Sequence, residues 1–189
     1  MKIYYAKINE DEKLGLYTVS FVDKPAVETQ YLCFEDKNTK PIMLAKQAEQ
    51  IVSGVALRAD FPIYREDENG NPYYVVFTKE TIKQMVQRYA KNQMLNNVDL
   101  QHDGKLVDGV YMVESYIVDK ERGICPVEFS NIEDGSWIVS YKVDNTELWN
   151  QIVNGNNLNG FSISALVNLG DTKFEKVEEN EPEEKSSLD

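Results

Sequence analysis

The sequence predicts an α+β domain, mainly antiparallel β, in which a barrel of strands carries a few peripheral helices. About eight or nine runs rich in β-branched and aromatic residues outnumber two stretches of helical periodicity. Short clusters of Gly, Asn, Asp and Pro join most of these runs, as hairpin connections require. A sheet of so many strands would expose two hydrogen-bonding edges, and closure into a barrel removes them.

The elements follow in order. Residues 3–7 alternate as a strand, and residues 14–22 (LGLYTVSFV) form a second that breaks at Asp23-Lys24-Pro25. Residues 31–34 are a further short apolar piece, and the polar run 35–41 after it marks an internal boundary. Residues 50–58 form the next strand. The cluster Glu68-Asn69-Gly70-Asn71-Pro72 is a turn, and residues 73–77 are a strand. Thr78 then caps a helix over 79–92, with Ile82, Met85, Val86 and Tyr89 on its apolar face. Strands are predicted over 98–102, 110–118, 124–129 and 136–143. A short helix carrying Leu148, Trp149, Ile152 and Val153 starts at Asp144 or Asn145 and stops at Gly155. Residues 160–169 form the last strand.

The length of 189 residues suits one domain with appendages. Residues 1–45 read as a β extension packed on the core, 46–170 as the barrel domain, and 171–189 as an acidic, disordered tail. The net charge of −12 disfavours sequence-independent binding to nucleic-acid phosphate. That tail holds eight acids against three lysines, so the body itself is only mildly acidic. No stretch resembles a membrane span or a signal peptide, which predicts a cytoplasmic setting. Cys33 and Cys125 form no CxxC, and with one histidine a structural zinc site is close to excluded. Cys125 reads as a small buried hydrophobe. Asp67-Glu68-Asn69-Gly70-Asn71 lacks the ligand pattern of a calcium loop, and the glycines are isolated turn residues, not a phosphate cradle. No cofactor is expected.

The single histidine, His102, is the one ordinary proton shuttle near neutral pH in the chain. In Gly160-Phe161-Ser162-Ile163-Ser164-Ala165, alternation sends Phe161, Ile163 and Ala165 to the core face and Ser162 and Ser164 to the other. A serine becomes a nucleophile only with a base in reach, and spacing alone does not bring His102 to Ser162.

Motifs in this region resemble a known family. His102-Asp103-Gly104, followed by residues 109–117 (GVYMVESYI), is similar to the first block of the phage serine proteases called XkdF-like. Residues 135–139 (GSWIV), 141–144 (YKVD), 147–149 (ELW) and 160–163 (GFSI) resemble the later blocks in the same order. Residues 54–60 and 77–80 are a looser match, so the resemblance spans about 50–168. It implies a capsid maturation, or prohead, protease of a tailed phage. The implied fold is similar to the β-barrel of herpesvirus assemblin.

The residues matching the family's histidine and serine are His102 and Ser162. The implied reaction has Ser162 attack a peptide carbonyl while His102 takes its proton, with backbone N–H groups binding the oxyanion. The implied substrates are the scaffold and the major capsid protein, inside the prohead in the host cytoplasm. The chain itself would be a homo-oligomer, such as a dimer. No arginine follows Arg122, which counts against an arginine-assisted oxyanion hole downstream of the serine. Glu114 is the candidate third catalytic residue. An acid among Val110, Met112, Tyr116 and Val118 on one strand face calls for a partner, and orienting His102 would supply one. Asp171, or no third residue, is the alternative from the resemblance, and Asp103 reads as a turn former. The competing reading is a non-catalytic head-assembly or scaffolding protein with the same barrel.

Overall fold

Alternating apolar residues and turn clusters produce ten strands and two α-helices among the described residues, 2–24, 49–154 and 158–171 of this computed structural model. In chain order the elements are β1 (Lys2–Lys7), β2 (Gly15–Val22), β3 (Ile51–Leu57), β4 (Pro62–Glu66), β5 (Pro72–Phe77), α1 (Lys79–Lys91), β6 (Val98–Leu100), β7 (Val110–Ile117), β8 (Trp137–Val143), α2 (Thr146–Val153), β9 (Gly160–Leu166) and β10 (Asn168–Gly170). The expected strand at 31–34, the polar boundary at 35–41, the stop at Gly155 and the disordered tail beyond Asp171 lie outside the described residues.

The strands form three hydrogen-bonded sheets, ordered β10-β1-β5-β4, β6-β2-β9 and β3-β8-β7. No closed barrel is found among the described residues, so the barrel expectation is replaced by mixed sheets with open edges. Pairing is also not wholly antiparallel: β1 runs parallel to β5, and β2 parallel to β6. Both partners are distant in sequence, joined by crossovers and not by tight turns, and no local signal reports that direction. Segment 1–45 supplies β1 and β2, each lying between two other strands of its sheet.

Local chemistry explains the elements. Asp67 closes the β4–β5 hairpin, accepting from the backbone N–H groups of Asn69 and Asn71 at 2.9 and 2.8 Å. The Asn71 side-chain amide, then its backbone N–H, hold the Asp67 carboxyl below the usual range. Thr78 caps α1 by accepting from Thr81 N, and Ile82, Met85 and Tyr89 are buried on its inner face. Arg88, on the same helix, donates to the carbonyls of Asn9, Asp11 and Leu14, which fastens the β1–β2 connection.

Two predicted strands change form. Residues 124–129 give one bridge, Asp119 to Ile124, and then a 3₁₀ turn at Val127–Phe129, because Pro126 withholds a ladder donor. The predicted strand over 160–169 splits into β9 and β10, which join different sheets.

The main core gathers one face of each sheet. Phe21, Tyr141 and Phe161 pack with ring centroids 5.0–5.8 Å apart, and Tyr89 meets Trp137 edge-on at 5.8 Å. Each such ring, fully buried, contributes roughly 1.5–3 kcal/mol through burial. A second cluster, Val55, Val118, Phe129, Ile132 and Ile138, covers the other face of the β3-β8-β7 sheet. Cys125 packs beside it half-buried, its thiol directed at the Phe129 carbonyl 3.5 Å away.

Candidate active site

The β6-β2-β9 sheet turns Val19, Phe21, Phe161 and Ile163 toward the main core. Alternation therefore sends Ser20, Ser162 and Ser164 to its other face. The register sets Asp99, Ser20 and Ser162 side by side across the three strands, with Ser164 one step along β9 opposite Thr18. Ser20 and Ser162 are nonetheless buried, so this is not a solvated face.

His102 reaches that face because β6 ends two residues early. The predicted strand through 102 stops at Leu100, and Gln101 and His102 take left-handed backbone angles, φ 53° and 58°. Two consecutive non-glycine residues in that region cost on the order of 1 kcal/mol each or more, and neighbouring bonds must hold them there. Gln101 N donates to Phe21 O, and Asp103 N to Leu100 O, both at 3.0 Å. Gly104, also left-handed at φ 73°, donates its N–H to Asp99 Oδ2 at 3.1 Å.

The turn lays the imidazole over the serines. Its Nδ1 lies 2.9 Å from Ser20 Oγ and 3.0 Å from Ser164 Oγ. Ser162 makes no hydrogen bond to the ring. It is the cross-strand partner of Ser20 and the next residue on Ser164's face, so the ring touches the hydroxyls on both sides of it. Cross-strand Cβ atoms stand about 5 Å apart, so Ser162 is a near neighbour of Ser20 across the ladder. Ser162 also lines a cavity of about 240 Å³.

Glu114 is placed elsewhere. A β-bulge between Met112 and Glu114 breaks the alternation on which the sequence argument relied. Met112 consequently packs against the main core, whereas Glu114 stands opposite Ser140 and accepts its hydroxyl proton. Ser140 in turn lies 2.7 Å from Ser53 Oγ. The hydrogen bonds of His102 run to Ser20 and Ser164 and not to Glu114. Burial first, then the charge of Glu114, pushes the neighbouring Tyr116 phenol up to about 12. Asp103 accepts from Lys105 N as a turn former, and Asp171 is exposed just beyond β10.

Two residues escape the sequence reading. Ser20 looks like a polar alternate position of an ordinary strand until pairing puts it under the histidine. Asp99 is an acid inside a short apolar run, the same signal that drew attention to Glu114. It is 2% exposed, and its Oδ1 has no hydrogen-bond partner among the described residues. No group of three His, Cys, Asp or Glu side chains able to hold a metal occurs among the described residues.

The site lies within a recognised family segment. The family model described as "Putative phage serine protease XkdF" matches residues 39–170, which include β3 to β9 and both His102 and Ser162. No curated protein and no solved structure matches the chain. With more than two thirds of its length inside that match, the chain belongs to the XkdF family of phage serine proteases.

Proposed function

We propose that the protein is a serine endopeptidase of tailed-phage head maturation, with Ser162 as nucleophile and His102 as general base. The observation that carries this reading is the placement of the chain's single histidine against the serine-bearing face of β2 and β9, its Nδ1 3.0 Å from Ser164 and 2.9 Å from Ser20. These two hydroxyls hold the ring beside Ser162. The hydroxyl of Ser162 stays free to present its proton to the imidazole and its oxygen to a peptide carbonyl. His102 then passes the proton to the leaving amine, and water repeats the sequence to release the acyl group. The site works as a Ser–His pair steadied by hydroxyls, and Glu114 has no part in it.

The substrates in this reading are the scaffold and the N-terminal segment of the major capsid protein, cut inside the prohead in the host cytoplasm, with self-cleavage as a further event. A dimeric state belongs to the same proposal, as does a protease domain over 46–170. Family membership supports the phage and protease parts of it.

Co-expression of the chain with its phage's scaffold and capsid proteins tests the reading. Both should be processed by the wild type and remain intact with Ser162→Ala or His102→Ala. Normal processing by either variant would overturn it.

A further inference from the structure

The turn that carries His102 has little packing to hold it. Residues 101–106 are all exposed, Leu106 included, so burial does not fix their backbone. Hydrogen bonds must therefore hold the left-handed angles at Gln101 and His102. Before the histidine, Gln101 N donates to Phe21 O, and Gln101 Oε1 accepts from Asp23 N at 3.3 Å. After it, Asp103 N donates to Leu100 O, and Gly104 N donates to Asp99 Oδ2. The last of these bonds reaches from the exposed turn to a carboxylate that is buried.

Stability alone does not account for that carboxylate. Its Oδ1 has no hydrogen-bond partner among the described residues, and an acid buried with one oxygen unsatisfied costs free energy. Gly104 is exposed, so water would take its N–H if Asp99 were absent. Between Val98 and Leu100 in a short strand, an apolar β-branched residue would fit at lower cost. What the acid provides is geometric. Anchored in β6 opposite Ser20, it ties the far end of the turn back to the strand and closes the loop around His102.

We propose that Asp99 is a positioning residue of the peptidase, whose buried carboxylate holds, through the Gly104 N–H, the turn that keeps His102 over the serine face. The inference rests on the proposed function and adds a residue to the same site. Asp99 acts through the turn and not on the ring, whose hydrogen bonds run to Ser20 and Ser164. Without the tether the left-handed pair is free to relax, and the imidazole moves with it. A shift of about 1 Å in a reacting group can cost ~100-fold in rate.

A diphenyl phosphonate ester, which an activated serine attacks with loss of phenol, tests this in Asp99→Ala, Asp99→Val and Asp99→Asn. Asn keeps a carbonyl oxygen for the Gly104 N–H, whereas Ala and Val offer no acceptor. The maximal labelling rate should fall ~10–100-fold in Ala and Val and return to within ~5-fold of wild type in Asn. The half-saturating probe concentration should change by less than about twofold, since the tether places the base and not the ligand. Val fills the space of the acid, so it keeps the test valid if Ala folds poorly. Its melting temperature should equal or exceed that of wild type, because an incompletely satisfied buried acid is gone. The single histidine gives one imidazole signal by NMR. That signal should move to the position of a free, exposed imidazole in Ala and Val and stay in place in Asn. Equal labelling in wild type and all variants, Asn as slow as Ala, an unmoved histidine signal in Val, or a melting temperature of Val well below wild type would each overturn the tether and leave the serine peptidase standing. No labelling of the wild type would overturn the peptidase, and the role of Asp99 in it.

Discussion

Two sheets of this molecule carry hydroxyl-rich rows on the face turned away from the main core. On β3-β8-β7 the row is Ser53, Ser140 and Glu114, linked in a chain of hydrogen bonds. On β6-β2-β9 it is Asp99, Ser20 and Ser162, with His102 laid across from the turn after β6. Both rows contain serines and an acid. They differ in what receives a serine proton. Glu114 serves as a hydrogen-bond acceptor for Ser140. His102 carries an imidazole, a group able to take a proton and return it. Serine and acid in a row make a structural network, and an imidazole delivered by a constrained turn turns the other row into a candidate active site.

The largest test of that difference is His102→Ala, which should lower peptide cleavage and probe labelling by at least ~10³-fold while the fold, read by circular dichroism, persists. Next, Ser164→Ala or Ser20→Ala should lower the rate ~10–100-fold, since the ring loses one of its two anchors. The pH–rate profile should shift as well, which a purely structural loss would not cause. Ser140→Ala belongs to the other row. It should leave cleavage within about twofold and cost about 1–2 kcal/mol in denaturant titration, the loss of hydrogen bonds to a neighbouring hydroxyl and a carboxylate. If Ser140→Ala abolished activity and Ser164→Ala did not, the roles assigned to the two sheets would have to be exchanged.

The smallest effect concerns pH. Burial tends to raise the Glu133 carboxyl, but its hydrogen bonds with Arg58 outweigh that and hold it below the usual range. A carboxyl depressed in the folded state stabilises fully above its unfolded pKa and loses that contribution as pH falls through the folded one. Glu133→Gln should therefore lower the melting temperature slightly at neutral pH, and the gap to wild type should close in acid. A gap that stayed constant across that range would show that the Arg58–Glu133 pair contributes through packing alone.

Much of the framework was legible because it is local. The Thr78 cap, the apolar face of α1, the hairpin turn at Asp67 and most strand positions follow from period and turn chemistry. His102 and Ser162 stood out as the lone histidine and as a serine on a strand's polar face, and the structure puts both on one sheet face. What stayed hidden depends on pairing. The parallel ladders β1–β5 and β2–β6 join distant segments, and Ser20 gains its place only through such a pairing. The bulge beyond Met112 reversed the side to which Glu114 points, an effect of one extra residue that no alternation rule foresees. Left-handed angles at Gln101 and His102 were equally invisible, since neither residue is glycine.

The most direct test is to map the phosphonate adduct by peptide mass spectrometry in the wild type and in His102→Ala. The account predicts a single modified residue, Ser162, in the wild type and no adduct in the variant. An adduct on Ser164, Ser140 or Ser53, or one on Ser162 that forms as fast without His102, would contradict it.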